Sequence, residues 1–242
     1  MVKENVIFSL INTEHYAFML KNLPHRKFED LSIVYYEFEP TERMYHLIGN
    51  DYMERANLCE EELYDLAYEN TKRLMPPVVV KMCDLILEAN ERLGVEQEAE
   101  TPKDALIYVI RNEGGRRGAA LILYDDIMRE VSEKLGGDCY LIPSSMHEFI
   151  AMPKDLLVLL DDLQEHVHYT NLKEVDVSDR LSNQVYEYDS ATGQIKQATF
   201  SPYTKLDEGR PVWSDWILND EPIPKTATDD SEQVNTDMQM GM

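Results

Sequence analysis

Short strands joined in pairs by tight turns, with a helical segment after each pair, recur along this sequence. We predict this unit over residues 31–74, 106–135 and 140–168. The clearest strand, residues 31–38 (LSIVYYEF), is rich in β-branched and aromatic residues, which favour strands. Strands joined by tight turns pair antiparallel, and the helices that follow them bury their apolar faces on the sheet. The pattern therefore predicts an α+β fold with a largely antiparallel sheet and helices packed on it.

The helices are predicted from apolar residues that recur at three- and four-residue intervals. Residues 60–74 show this spacing, with glutamates in the first turn and Lys72 and Arg73 in the last, as the helix dipole favours. We expect further helices over residues 78–93, 125–135 and 153–168, strands over 44–48, 106–110, 119–124, 140–142 and 147–151, turns over 112–118 and 143–145, and a last hairpin from 184–188 and 194–199.

The chain is predicted to form one α+β domain over residues 1–200, followed by a segment of different composition. Residues 201–242 are rich in Pro, Asp, Glu, Thr and Ser, which is typical of a mostly disordered acidic tail. Trp213 and Trp216 (VWSDWIL) stand out within this tail. They either pack back onto the domain or anchor the tail in a groove of a partner, since tryptophan is a frequent hot-spot residue.

The charge balance restricts the partners of the protein. Asp and Glu number 46 against 23 Lys and Arg, a formal net charge of -23. Such a charge repels nucleic-acid phosphates and anionic lipids, so we expect no direct binding to nucleic acid or to a membrane. It attracts basic surfaces, including those of proteins that hold DNA or RNA. The alternative is that the acidity serves solubility alone.

The cysteines and the hydrophobic runs indicate the compartment. Cys59, Cys83 and Cys139 lie far apart, which argues against a disulfide framework and against a structural zinc site with closely paired ligands. The first 16 residues (MVKENVIFSLINTEHY) do not form a signal peptide. No apolar run reaches the roughly 20 residues of a membrane span. We therefore expect a cytoplasmic protein without a metal ion or cofactor.

One candidate site combines residue types found in hydrolases. Ser144, Ser145, His147 and Glu148 occur together in the segment PSSMHEF. A nucleophile and its base usually come from different elements that converge in space, and the chain contains no GxSxG motif. The competing interpretation is a turn in which the serine hydroxyls bond the backbone before a strand. The sequence favours the turn, with Ser145, His147 and Glu148 as the weak catalytic candidates.

A second candidate site is the segment Gly114, Gly115, Arg116, Arg117 and Gly118. Its backbone amides and two guanidinium groups could bind a phosphate or a carboxylate. It lacks the Lys-Ser/Thr ending of a P-loop and precedes a predicted strand, so a solvated turn is the competing interpretation. An enzyme or ligand-binding site would require Ser145 or His147 to converge with Arg116, Arg117 or His25. The remaining histidines, including His46, His166 and His168, show no metal-ligand spacing.

The order of these segments resembles an uncharacterised bacterial family, catalogued as domain of unknown function 5688. The resemblance rests on five motifs over residues 4–189: NTEHYAFMLKNLPHRKFEDLSIVYY, EEELYDLAYENT, IYVIRNEGGRRGAALILY, CYLIPSSMHEFIAMP and DRLSNQVYEYD. It implies an accessory protein of bacteria, often associated with mobile elements, with no assigned activity or catalytic residue. Longer relatives are expected to carry an additional N-terminal segment.

Three hypotheses for the function follow. The favoured one is a non-enzymatic, inhibitor-like interaction protein of a mobile element that binds a basic, nucleic-acid-handling protein. The second is an enzyme or small-anion-binding protein with a site near residues 114–118 and 144–147. The third is an oligomerising module, which would present an exposed apolar face beside Trp213 and Trp216.

Overall fold

A computed structural model describes residues 3–94, 106–155, 159–200 and residue 206. Residues 95–105 and, apart from residue 206, the predicted tail with Trp213 and Trp216 lie outside these residues. The described chain forms strands β1 (Val6–Asn12), β2 (His25–Phe28), β3 (Leu31–Glu39), β4 (Met44–Leu47), β5 (Pro77–Lys81), β6 (Tyr108–Asn112), β7 (Cys139–Ser145), β8 (Glu148–Pro153), β9 (Tyr186–Asp189) and β10 (Gln194–Gln197). It also forms helices α1 (Ala17–Leu20), α2 (Asn50–Ala56), α3 (Glu60–Leu74), α4 (Met82–Leu93), α5 (Asp125–Leu135) and α6 (Leu160–Lys173), with 3-10 helices at Lys3–Asn5 and Gly118–Leu123.

The strands form two antiparallel sheets. In the four-stranded sheet, β1 pairs along almost the whole of β3, while β2 and β4 pair with different halves of β3. In the six-stranded sheet the order is β10-β9-β7-β8-β6-β5. Every pair in both sheets is antiparallel. The predicted α+β class with antiparallel sheets and helices is therefore confirmed.

The largest hydrophobic cluster includes residues from both sheets, α3, α5 and the 3-10 helix Gly118–Leu123. That 3-10 helix contacts β1, β6, β8 and α5, and almost all of it is buried. Strand β1 is buried on both faces: Phe8 packs in this cluster, and Ile7 packs in a second cluster on the other face. The second cluster contains Tyr36 and Met146, with Tyr16 and Tyr45 packed against it. The candidate site described below lies at the edge of this second cluster, next to Met146.

Several predicted elements agree with the structure. Helices α3 and α5 have the predicted bounds, and the hairpins β3–β4 and β9–β10 form where the turn signals place them. None of the described helices has both the length and the hydropathy that a membrane span requires. All three cysteine thiols are free.

Other predicted elements were wrong. Residues 78–93 are a strand followed by a helix, because three consecutive valines favour extended backbone. Residues 119–124, predicted as a strand, lie almost entirely within the 3-10 helix, since a short buried apolar run does not distinguish the two. The helix predicted at 153–168 is α6, Leu160–Lys173, and residues 143–145 belong to β7 instead of a turn. The middle unit thus lacks its second strand.

Candidate functional site

Two turns that sequence reasoning singled out lie against each other. The amide of Arg117 donates to Nδ1 of His147 at 3.0 Å, and the amide of Ala119 donates to the carbonyl of Met146 at 3.4 Å. Gly118 makes this contact possible: a Cβ there would lie 2.6 Å from the His147 carbonyl oxygen and 2.7 Å from the amide nitrogen of Asn112. The loop before Gly118 and the turn at Met146 therefore form one packed junction.

The His147 ring uses both of its nitrogens within this junction. Nδ1 accepts the Arg117 amide, so the proton of the neutral ring lies on Nε2, which faces Oδ2 of Asp179 at 3.4 Å. The His147 side chain, together with the charge of Arg117, holds the pKa of Asp179 below its ordinary value. A general base needs a free ring nitrogen within reach of its substrate. In this arrangement His147 instead links two turns and the segment at Asp179.

The two serines at the end of β7, just before this turn, make local hydrogen bonds. Oγ of Ser145 accepts the His147 amide at 3.1 Å, and Oγ of Ser144 donates to Oε1 of Glu148 at 3.1 Å. The Ser145 bond is of the kind by which serine stabilises turns, whereas the Ser144 bond joins two side chains. The two hydroxyls, His147 and Glu148 thus all have partners within the protein.

The backbone amides of the glycine-arginine loop also have internal acceptors. The amide of Gly115 donates to the Asn112 carbonyl at 3.1 Å, and that of Arg116 donates to the Asn112 side-chain oxygen at 3.2 Å. The Arg117 amide is bonded to His147. Three consecutive amides are therefore occupied, so the loop does not present them to an anion in the way a phosphate-binding loop does.

The two arginines of this loop differ in their surroundings. Arg117 is 5% exposed, and its guanidinium carbon lies 4.2 Å from the ring centre of Tyr36 and 5.1 Å from that of Tyr45. These cation–π contacts and the nearby Asp179 carboxylate stabilise a buried positive charge. Arg116 is partly exposed. Only Arg116 of the pair therefore remains accessible to a ligand.

His25, the further histidine proposed for a converging site, has no described contact with the junction, and His166 lies elsewhere. Nδ1 of His25 lies 2.9 Å from the Leu23 carbonyl oxygen, and the ring is exposed on β2. His166 is exposed on α6. Among the residues that the structure describes, no group of three His, Cys, Asp or Glu side chains is arranged to hold a metal ion.

Sequence reasoning did not identify a face of α3 that carries repeated negative charge. Glu61, Asp65 and Glu69 are exposed at four-residue intervals and so lie on one side of the helix. Asp125, the exposed first residue of α5, lies near the same side of α3. This position follows from its effect on two tyrosines of α3: burial raises the pKa of Tyr64 and of Tyr68, and the charge of Asp125 raises both pKa values further. We call Glu61, Asp65, Glu69 and Asp125 the acidic face.

Two tyrosine rings accompany the acidic face. The partly exposed rings of Tyr64 and Tyr68 lie 6.0 Å apart, and both pack on buried Phe8. The signal for this surface was present in the sequence, because its carboxylates repeat with the period of a helix whose bounds were predicted.

A polar cleft lies elsewhere, beside the turn between β2 and β3. It has a volume of about 340 Å³ and is lined by Asn12, Glu14, Lys27, Glu29, Asp30, Gln184, Gln197 and Phe200. The Asp30 carboxylate accepts hydrogen bonds from the hydroxyls of Tyr186 and Ser182. Burial raises the pKa of Asp30, and these two hydrogen bonds oppose that effect. Because Asp30 lies in the turn between β2 and β3 of the four-stranded sheet and Tyr186 lies on β9 of the six-stranded sheet, their bond joins the sheets.

Comparison with known proteins identifies a family without a known activity. A model described as a family of unknown function (DUF5688) matches residues 1–190 of the 242-residue chain. No curated protein and no solved structure matches the chain. The family match covers well over half of the sequence and confirms the resemblance carried by the five motifs. The chain therefore belongs to the DUF5688 family.

Proposed function

We propose that this protein is a non-enzymatic interaction protein whose acidic face binds a basic surface of another protein. The observation that carries the proposal is the row of carboxylates on α3. Glu61, Asp65 and Glu69 follow one another at about 6 Å along the helix axis, and Asp125 lies beside them. This arrangement places four exposed carboxylates along one side of α3 and the start of α5.

The charges of the acidic face are available to a partner. Within the described part of the chain, none of its four carboxylates forms an ion pair, whereas neighbouring Glu60 pairs with Arg26 and Asp126 pairs with Lys72. The partly exposed ring of Tyr68 adds aromatic surface, which is enriched in interfaces and attracts arginine and lysine side chains, whereas the Tyr64 ring already has the Arg26 guanidinium carbon 3.9 Å from its centre. A basic surface would find both charge and cation–π partners here.

The partner we expect is a protein that handles nucleic acid. Such proteins carry arginines and lysines arranged to meet regularly repeated phosphates. A row of carboxylates on a chain with a net charge of -23 can bind these arginines and lysines in place of the phosphates and so exclude nucleic acid. An inhibitor-like accessory role on a bacterial mobile element, acting in the cytoplasm, agrees with the expectation from the family resemblance. Trp213 and Trp216 would provide a second anchor.

The competing proposal, an enzyme or anion-binding protein that uses the two turns, has less support. Both nitrogens of His147 have protein partners, and three amides of the glycine-arginine loop have internal acceptors. The candidate nucleophile Ser145 accepts a backbone amide. The geometry of the turns is that of a structural contact.

The test is a quantitative pull-down from nuclease-treated lysate of the native cell, read by mass spectrometry. The bait is the full chain, a triple variant of the acidic face (Glu61→Gln, Asp65→Asn, Glu69→Gln), or a matched triple on α6 (Asp161→Asn, Asp162→Asn, Glu165→Gln). The α6 residues are also exposed carboxylates, so the two triples change the net charge equally. A fourth bait ends at residue 200 and measures the contribution of the tail.

The proposal predicts that one protein with a basic surface binds the unmodified and the α6-triple baits. The acidic-face triple should bind it at least about tenfold more weakly, as loss of close charge pairs across an interface does. Added DNA or RNA should displace it. If both triples capture the same proteins equally, or if nucleic acid does not compete, the proposed role of the acidic face is wrong.

A further inference from the structure

The polar cleft beside the turn between β2 and β3 is built mainly from segments that carry the family resemblance. Six of its eight described lining residues lie in the first and fifth of the five motifs, namely Asn12, Glu14, Lys27, Glu29, Asp30 and Gln184. The Ser182 hydroxyl donates to the Asp30 carboxylate at 2.7 Å and so joins these two motifs across 152 positions. The function proposed for the acidic face does not use this cleft.

Asp30 at this cleft is a partly buried carboxylate without a cationic partner. Its two oxygens accept hydrogen bonds from the hydroxyls of Tyr186 and Ser182, which are neutral donors. Other partly buried carboxylates face a cation or a histidine: Glu60 faces Arg26, Glu187 faces Lys154 and Asp179 faces His147. Within the described residues Asp30 forms no ion pair, and its burial raises its pKa because the charge is poorly solvated. A cationic ligand would offset this cost.

The other charged groups of the cleft also favour a cation. Glu14 and Glu29 are exposed, and neither forms an ion pair in the part of the chain that the structure describes. Together with Asp30 they bring three negative charges to the cleft, against the single positive charge of Lys27. An anion is therefore disfavoured, and a cation is attracted by several carboxylates at once.

The uncharged lining is suited to a small organic cation. The Phe200 side chain is 83% exposed at the cleft, where its ring can contact both an ammonium group and the hydrocarbon attached to it. Asn12, Gln184 and Gln197 contribute amide groups. The volume of about 340 Å³ is at the lower end of the range for small-molecule sites.

We infer that this cleft binds the ammonium group of a small organic molecule, with Asp30 as its main partner and Glu14 and Glu29 as further carboxylates. An ammonium group has three N–H donors, and each Asp30 oxygen keeps a second lone pair that can accept one of them. The site shares no residue with the acidic face and does not depend on the function proposed for that face.

Lys27 distinguishes two sources of the ammonium group. A free amino acid also carries a carboxylate, which the Lys27 ammonium group attracts, whereas a diamine brings a second cation, which Lys27 repels. We therefore expect an amino acid to bind more tightly than a diamine.

The test is an NMR titration of the full-length protein at neutral pH and constant ionic strength, followed through the backbone amide signals. The ligands are L-alanine and 1,4-diaminobutane, each with a control that has hydroxyl groups in place of the ammonium groups, L-lactate and 1,4-butanediol. Magnesium chloride tests a metal ion. The variants are Asp30→Asn, Glu14→Gln, Glu29→Gln and Lys27→Gln. Glu133→Gln, which changes an exposed carboxylate on α5, is the matched control.

The inference predicts saturable shifts at residues 12–14, 27–30 and 184 with the ammonium compounds. Asp30→Asn should weaken binding at least about tenfold, since it removes the charge of the main acceptor, and Glu14→Gln and Glu29→Gln about threefold each, because exposed charges are screened. Lys27→Gln should weaken binding of L-alanine and strengthen binding of the diamine. Glu133→Gln should bind like the unmodified protein. Bound ligand should also lower the pKa of the Asp30 carboxyl, measured from its ¹³C signal.

Four results would overturn the inference. They are linear shifts with both ammonium compounds, hydroxyl controls that bind as tightly as the ammonium compounds, saturation of these residues by magnesium but not by either ammonium compound, and carboxylate variants that all bind as the unmodified protein does. Because Glu14 and Glu29 are exposed, their variants keep the test decisive even if Asp30→Asn disturbs the contact between the sheets. Tighter binding of the diamine would identify a diamine as the source of the ammonium group.

Discussion

Replacing Gly118 by alanine tests the packed junction between the glycine-arginine loop and the turn at Met146. A Cβ at this position would lie 2.6 Å from the His147 carbonyl oxygen, 2.7 Å from the Asn112 amide nitrogen and 3.1 Å from the Cα of Arg111. All three atoms belong to the backbone, so no side chain can rotate away. The loop and the turn must separate, which stretches the hydrogen bond between the Arg117 amide and His147.

The expected cost combines two effects. Overpacking a tight contact costs about 1–3 kcal/mol, and weakening one hydrogen bond adds about 1 kcal/mol. We therefore expect Gly118→Ala to lower the free energy of unfolding by about 2–4 kcal/mol. For a chain of this size, this corresponds to a fall in Tm of about 5 to 15 °C. Urea and thermal unfolding, followed by circular dichroism, measure both quantities.

Gly114→Ala is the matched control in the same loop. A Cβ there meets only the Asn112 side-chain oxygen, at 3.5 Å, which is an ordinary contact. Its effect should stay within about 0.5 kcal/mol. Equal stability of the two variants would show that the two turns are not packed as described, and would reopen the loop as a mobile, ligand-binding element.

Further predictions concern His147, Asp179 and Asp30. His147→Ala should lower the free energy of unfolding by about 1–3 kcal/mol, because it leaves the Arg117 amide without an acceptor, and His147→Asn should restore part of the loss; urea unfolding of both variants measures this. The folded-state pKa of Asp179 is depressed, so its stabilising contribution is present above the unfolded pKa of about 3.9 and is lost as pH falls through the folded pKa. The difference in free energy of unfolding between the unmodified protein and Asp179→Asn should therefore be constant near neutral pH and become smaller in acid. A difference that stays constant down to acid pH would contradict the pairing of Asp179 with His147. Asp30 has a raised pKa, so its contribution is present below about pH 3.9 and is lost as pH rises. Asp30→Asn should accordingly gain stability relative to the unmodified protein between acid and neutral pH, as unfolding curves at several pH values would show.

The sequence correctly predicted those helices and hairpins whose signals lie within the element itself. Helix α3 follows from its apolar spacing and its terminal charges, and the β3–β4 hairpin follows from two β-rich runs around a polar turn. The run at residues 119–124 was misassigned because burial on every side removes the periodicity that separates helix from strand.

The candidate site was only half predictable, because its parts are far apart in the sequence. Both turns carried recognisable residue types, but their contact joins Arg117 to His147 across 30 positions. Asp179 gave no local signal, although its carboxylate faces Nε2 of His147. Sequence reasoning therefore treated His147 as a possible base and the loop amides as a possible anion site. The acidic face differs, because its signal, the spacing of Glu61, Asp65 and Glu69, lies within one predicted helix, although sequence reasoning overlooked it.

The central claim is that the acidic face on α3 is the binding surface. Hydrogen–deuterium exchange of the full chain, alone and bound to the captured partner, tests it most directly. The account predicts that the partner slows exchange in α3 and in the first turn of α5, and that the acidic-face triple abolishes this effect. Slowed exchange at residues 113–117 and 144–147 with α3 unchanged would contradict the claim and place the binding surface at the junction of the two turns.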